Sequence, residues 1–350
     1  TFKPNLMNTI SKLTLLFISI FIFSCSDDDN SNPEVIEEDF LNGTLILNEG
    51  TSAGGSVSFL NSEESRITNK IFQTVNGEGA GLFLQSIFFD DDRAYIISNG
   101  SNLISVVNRY TFELIGKVDT GLSVPRYGVV YNGKAYVTNQ ADFGTIQDDF
   151  IAVIDLETLE VEDTATPGTI VERIIEFDGY LYVQNAAFGV GNRISKFDPS
   201  DMSLISSSIL EPGLNSMTKA NGQIFALDSE GVKVIDLSTF RVDKSIPVSD
   251  ELSDVSNLRV ANNQLYYTSG TSAYTSSITA QELSSEPLFD YGSDSTFGSF
   301  YGFNVNKGQI FVGDAGSFES NGRILIYSIG GQLIKELTVG DIAPNSFYFQ

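Results

Sequence analysis

Short apolar runs, each closed by a polar turn residue, recur along the chain at a near-constant spacing. The stretch "NGKAYVTNQ" (132–140) has counterparts in "NGTLILNEG" (42–50), "DDRAYIISNG" (91–100), "DGYLYVQNA" (178–186), "NGQIFALDS" (221–229), "NNQLYYTSG" (262–270) and "KGQIFVGDA" (307–315). The residues matching Tyr136 are Ile46, Tyr95, Tyr182, Phe225, Tyr266 and Phe311, at intervals of 49, 41, 46, 43, 41 and 45. A period of this length, with strands inside each repeat, is the mark of propeller blades.

The flanking pattern completes a four-stranded blade. An apolar run precedes each copy, as in "RYGVVY" (126–131) or "RIIEF" (173–177), and Asn-Gly, Asp-Gly or Asn-Asn supplies the positive φ angles of a tight hairpin between the two. A third run follows, such as "IAVIDL" (151–156) or "VKVIDL" (232–237), then a turn and a weaker outer strand. The second and third runs are apolar on both faces, as strands sandwiched between neighbouring sheets must be; the fourth alternates with polar residues because it sits at the rim. The last segment, "GDIAPNSFYF" (340–349), reads as a first strand with no blade after it, and "LNGTLILN" near residue 41 as a second strand with no first strand before it. The expectation is an all-β, seven-bladed β-propeller over residues 41–350, closed by pairing of the C-terminal strand with the N-terminal blade, which leaves no open edge at the seam.

The segment before the repeats has another character. Lys12 precedes the apolar stretch "LTLLFISIFIF" (13–23), followed by Ser24 and Cys25. This is the charged, apolar and small-residue order of a secretory signal over 1–24, with a start at Met7, and it is too short to span a bilayer as a helix. Residues 25–40, acidic and carrying Pro33, read as a tether.

Composition removes several classes of function. Formal net charge is -25, from 45 acidic and 20 basic residues, which repels nucleic acid and anionic membrane surfaces. There is no histidine, and Cys25 is the sole cysteine. Catalytic triads, Cys-His pairs, cysteine or imidazole zinc sites and internal disulfides are therefore excluded. "NGEGAGL" (76–82) lacks the spacing of a phosphate-binding glycine loop. No cofactor, metal site or catalytic residue is called for, and the chain does not read as an enzyme.

The literal "YVTN" at Tyr136–Asn139, followed by "IAVIDLETLEVEDT" (151–164) and echoed in "VKVIDLSTFRVDKSI" (232–246), resembles the YVTN family of seven-bladed propellers. Two repeats depart from it: "SSITAQEL" and "ILIYSIGGQL" lack the turn aspartate. The placement of Cys25 resembles a lipoprotein acylation site, and "SDDDN" (26–30) resembles the export signal of Bacteroidetes surface lipoproteins, although Phe23 is bulkier than that pattern favours. The resemblance implies an outer-membrane lipoprotein, lipidated at Cys25 and touching the membrane only through that anchor. It also implies capture of a small nutrient, such as a corrinoid, haem or siderophore, for a TonB-dependent outer-membrane transporter. A surface scaffold or adhesin without a small ligand, and a calcium-dependent lactonase-like enzyme, are the competing readings.

Ligands of propellers gather on the face where the loops between second and third strands and the linkers into the first strands emerge. Aromatic loop residues there are Phe143, Phe188, Tyr274 and Phe318. They present flat contact surface to a ligand or pack over their own loops. The entrances to the first strands add Gln85, Arg126, Tyr127, Glu172, Arg173, Asn215, Ser256, Tyr301 and Asn345, which either converge on a ligand or line a hydrated channel. Of these two sets, Arg126, Tyr127, Phe143, Arg173, Phe188, Asn215, Tyr274, Tyr301, Phe318 and Asn345 are the expected ligand contacts. Asn48, Asn99, Asn139, Asn185, Asp228 and Asp314, which end second strands, are expected to hold their own loops.

Overall fold

The computed structural model describes residues 40–293, 295 and 297–350. The expected signal segment, Cys25 and the tether as far as Asp39 lie outside the described residues. Phe40, placed by the sequence reading at the tether's end, belongs to the folded body: its buried ring packs edge-on against Phe59 and Phe112.

Seven four-stranded antiparallel sheets follow one another along the chain. The first contains β1 (Thr44–Thr51), β2 (Gly54–Leu60) and β3 (Ile67–Thr68), followed by a short helix, α1 (Ile71–Asn76). Next come β4–β7 (Leu84–Phe89, Arg93–Ser98, Leu103–Asn108, Leu114–Val118) and β8–β11 (Pro125–Tyr131, Lys134–Asn139, Phe150–Asp155, Glu160–Ala165). Then follow β12–β15 (Ile174–Phe177, Tyr180–Ala187, Val190–Phe197, Leu204–Ile209) and β16–β19 (Ser216–Ala220, Gln223–Asp228, Gly231–Asp236, Arg241–Pro247). The last are β20–β23 (Ser256–Ala261, Gln264–Ser269, Ser272–Ser277, Phe289–Asp290), β24–β27 (Gly302–Asn306, Gln309–Asp314, Arg323–Ser328, Leu333–Thr338) and β28 (Pro344–Phe349).

Local chemistry explains each blade. Asn132-Gly133, Asp178-Gly179, Asn221-Gly222 and Asn262-Asn263 all have positive φ, the backbone of the two-residue hairpin whose twist matches its flanking strands. In the middle strands β9 and β10 nearly every residue is buried, whereas β11 is mostly exposed. Tyr136 and all six residues matching it are buried between blades. The recurring aspartate after the third strand builds the outer turn: Asp155 Oδ1 accepts the amides of Glu157 and Thr158 at 2.9 and 2.8 Å, and Asp236 Oδ1 those of Ser238 and Thr239 at 3.0 and 2.8 Å. The amides of Thr158 and Glu157 hold the Asp155 carboxyl below its usual range. In the two repeats without the aspartate, Ser277 and Ser328 take its place, accepting from Thr279 and Gln332 at 3.1 and 3.2 Å.

Closure follows the sequence reading. β28 pairs antiparallel with β1, placing Leu45 opposite Tyr348 and Ile46 opposite Phe347. The neighbouring blade is shaped for this strand: a side chain at Gly302 or Gly313 would meet the Pro344 carbonyl at 2.7 or 2.2 Å. On the other side, the Ile87 amide donates to the Tyr348 hydroxyl at 2.8 Å, and Gln350 exchanges hydrogen bonds with Arg109. The shared blade departs from the expected plan at its rim, where β3 has only two residues. There α1 buries Ile71 and Phe72, and Asn76 bonds the Phe112 carbonyl and the Leu114 amide.

Phe347 is 3% exposed and lies 5.7 Å from Phe311, ring centre to ring centre. Phe347→Ala should lower unfolding stability by about 3–5 kcal/mol, read from the urea midpoint at constant slope. A loss below about 1 kcal/mol would mean that the seam does not hold the ring.

Candidate functional site

The inner strands surround an axial channel with two connected cavities of about 350 and 320 Å³. The upper one opens on the expected face and includes Glu49, Gln85, Asn99, Arg126, Phe188, Tyr301 and Asn345. The lower one is lined by Ser86, Met217, Thr218, Asn304 and Tyr348, among others. Tyr127, Arg173, Arg259, Phe303 and Ser346 border both and form the waist between them.

Backbone pairing aims these side chains. Glu172 and Arg173 precede β12, where the Glu172 amide donates to the Gln184 carbonyl at 2.9 Å and the Gln184 amide to the Arg173 carbonyl at 2.8 Å. The Thr138 hydroxyl donates to the Glu172 carbonyl at 2.7 Å, tying one inner strand to the next. In β20 the pairing slips between Ser256 and Arg259, where Asn257 takes φ 58 and donates to the Phe300 carbonyl at 3.1 Å. Arg259 then stands opposite Tyr266, level with Val129 and Ile175 of other blades.

Electrostatically the upper cavity is built around Arg126. Its guanidinium meets the Glu172 carboxylate through two hydrogen bonds, Nε at 2.9 Å and Nη2 at 2.8 Å, and donates to Gln85 Oε1 at 2.6 Å. Burial opposes its charge, but the Glu172 carboxylate outweighs this and raises the arginine pKa. Gln140 adds a donor to Glu172 at 2.8 Å, and Gln85 passes a hydrogen bond to the Tyr127 hydroxyl at 3.1 Å. Across the mouth the Tyr301 hydroxyl donates to Glu49; burial pushes the Glu49 carboxyl up, against that bond and the charge of Arg126. Arg173 lies over the Tyr127 ring, 4.5 Å from its centre.

The expected ligand contacts divide. Arg126, Tyr127, Arg173, Phe188, Tyr301 and Asn345 meet around the upper cavity; Phe188, 73% exposed, lies 5.5 Å from the Arg126 guanidinium. Phe318 stands beside them, edge-on to Tyr301 at 4.9 Å, without lining the cavity. Phe143 is 71% exposed on its loop and lines neither cavity. Two residues need correction. Asn215 donates to the Val255 carbonyl at 2.9 Å and joins adjacent blades instead of facing the channel. Tyr274 is not on a loop: Ser269 pairs with Ser272 across a tight turn, so Tyr274 falls in β22, buried and stacked on Tyr267 with ring centres 5.7 Å apart. Asn139, Asn185 and Asp228 bond loop backbone, Asn48 bonds Ser56 and Ser58, and Asp314 takes Arg323 and the Gly316 amide. Asn99, expected to hold its own loop, instead borders the upper cavity and donates to Gln85 Oε1 at 3.0 Å; the channel residues missed by the sequence reading are Glu49, Asn257, Arg259 and Phe303. The available signal for Arg259 is a lone arginine in "SNLRVA", at a position where the other first strands carry Phe88, Val129, Ile175, Thr218, Asn304 and Phe347.

The chain belongs to the family described as Domain of unknown function (DUF5074), which matches residues 42–349. No curated protein matches the sequence. Among solved structures it is similar to a quinonprotein alcohol dehydrogenase-like protein from Bacteroides thetaiotaomicron, with 14% identity, TM-score 0.66, and coverage of 89% of this chain and 79% of that one. It is also similar to a putative 6-phosphogluconolactonase from Bacteroides uniformis, with 12% identity, TM-score 0.65, and coverage of 88% and 100%. A functionally unknown protein from Desulfotomaculum acetoxidans gives 10% identity, TM-score 0.63, and coverage of 88% and 98%. These likenesses show the propeller fold.

Two outcomes test the site's electrostatics. Glu172→Gln leaves the buried Arg126 without its carboxylate and should cost about 3–5 kcal/mol in urea unfolding; a neutral result would mean that the pair is not desolvated. Asp149 accepts the Val171 amide beside this network, and burial raises its pKa to about 6. Its folded pKa lies above the unfolded value, so its contribution is complete below about pH 4 and is lost as pH rises through 6. Asp149→Asn should therefore raise the thermal midpoint relative to wild type above pH 6 and match it near pH 4. The opposite trend would contradict the assignment.

Proposed function

We propose that this propeller captures a small nutrient at the upper mouth of its axial channel, as a lipoprotein anchored through Cys25 at the outer-membrane surface, and passes it to a TonB-dependent transporter. One observation carries the reading. Among the described residues, every exposed phenylalanine (Phe83, Phe143, Phe188 and Phe297) belongs to a loop of the upper face. Most exposed aliphatic residues, Ile115, Leu204, Ile205, Ile209, Val242, Leu333 and Ile334, are instead spread over outer strands around the rim, with Val190 beside Phe188 on the upper face. Rigid rings collected around a polar cavity match what binding surfaces use: large contact area at small entropic cost, with a few polar groups to fix orientation. Phe297, Phe318 and Tyr301 already form an edge-to-face chain leading down to Glu49.

The ligand classes to examine are corrinoids, haem and ferric siderophores, whose broad ring systems or shells suit such a rim. In calorimetry, cyanocobalamin, hemin or a ferric siderophore should bind below about 1 μM, with Phe188→Ala weakening the interaction at least about tenfold. Absence of binding across the three classes, or binding indifferent to Phe188, Phe297 and Phe318, would leave the scaffold reading in its place.

A further inference from the structure

We propose that the waist of the channel is an anion site, in which Arg173 and Arg259 clasp the carboxylate or phosphate of a small organic anion entering through the upper mouth. The inference rests on the capture reading and gives its ligand a chemical class. Its ground is a pair of charges that the protein leaves without counter-charge. Three other arginines of the described residues meet carboxylates directly: Arg93 with Asp90, Arg126 with Glu172, Arg323 with Asp314 and Glu336. The Arg173 guanidinium hydrogen-bonds to no described residue and overlies the Tyr127 ring. Arg259 uses one N–H on the carbonyl of its own neighbour, Leu258, at 2.8 Å. A guanidinium offers five donors in a planar fork, so most of the donors of both side chains remain unspent.

Their position makes this more than a surface accident. Both arginines border the upper and the lower cavity, where bulk water screens little. Burial and the neighbouring charge of Arg173 push the pKa of Arg259 down to about 10, so the charge of Arg259 is costly to hold where it stands. The carboxylates that could relieve them are engaged elsewhere: Glu172 is held by Arg126 and Gln140, and Glu49 by Tyr301. In a chain with 45 acidic residues, leaving two axial arginines without a carboxylate is a costly arrangement unless an anion completes it. Ser346 and Phe303 stand at the same level, supplying a hydroxyl and an apolar wall for the remainder of such a molecule.

The test uses the folded protein in low-salt buffer free of multivalent anions, titrated with sodium phosphate, sodium citrate and, as the neutral control, glucose. Phosphate or citrate should bind below about 1 mM and raise the thermal midpoint, while glucose does neither. Arg173→Gln and Arg259→Gln should each weaken binding at least about tenfold, and the double variant should abolish it; Arg241→Gln, on an exposed outer strand, should leave it unchanged. Without anion, Arg259→Gln should keep or raise the thermal midpoint, because it relieves repulsion with Arg173. Failure of both anions to bind wild type, binding that survives in the double variant, or a marked loss of stability in anion-free Arg259→Gln each overturns the proposal. Stronger binding of phosphate than of citrate marks a phosphate-bearing ligand, and the reverse order a carboxylate. Corrinoid, haem or siderophore binding that depends on Phe188 but not on the arginine pair would leave capture standing and the anion site refuted. Anion binding through the pair with none of the three nutrient classes bound would keep the anion site and remove the nutrient reading.

Discussion

The structure depends on the main-chain pairing of β28 with β1. Each blade buries its middle strands against its two neighbours, so a row of blades without closure would end in two exposed apolar sheets and two unpaired edges. Pairing residues about 300 positions apart carries a loop-closure cost that grows only slowly with length, whereas the ring it completes removes both ends at once. Gly302 and Gly313 allow the strand to approach, and Tyr348 and Gln350 fasten it to the blade on the other side.

Closure also creates the channel. Seven inner strands meet around one axis, and whatever side chains enter those strands must share a narrow space. Apolar and neutral residues fill most positions; where charges enter, the protein treats them in two ways. Arg126 is neutralised within the fold by Glu172, Gln85 and the surrounding hydrogen bonds, which makes it a fixed part of the upper wall. Arg173 and Arg259 receive no such treatment.

The architecture could be read from the sequence because repetition multiplies a weak signal. One "YVTN" says little, but seven copies of the apolar run at near-equal spacing fix blade number, strand order and closure. Errors arose where a single repeat departs from the common pattern. Tyr274 was placed on a loop because "SGTSAYTSS" contains no break, whereas the turn closes at Gly270 and Thr271 and the strand resumes at once. Arg259 lies outside the ring of strand-entry residues because it sits three positions further along its strand than Ser256, at a level where the other first strands carry no charge. The helix α1 and the two-residue β3 replace an outer strand whose position at the rim imposes little pattern. The charge partners of Arg126 could not be read at all, since a bidentate contact across 46 residues depends on the closed geometry of adjacent blades.

The most direct test of the closed ring is hydrogen exchange at its seam, followed by mass spectrometry of the native protein. If β28 completes the first blade, the amides of residues 346–349 exchange as slowly as those of 127–130 in β8, the corresponding inner strand of another blade. Exchange of 346–349 within seconds, while the other blades stay protected, would show an open ring and remove the geometric basis of the channel.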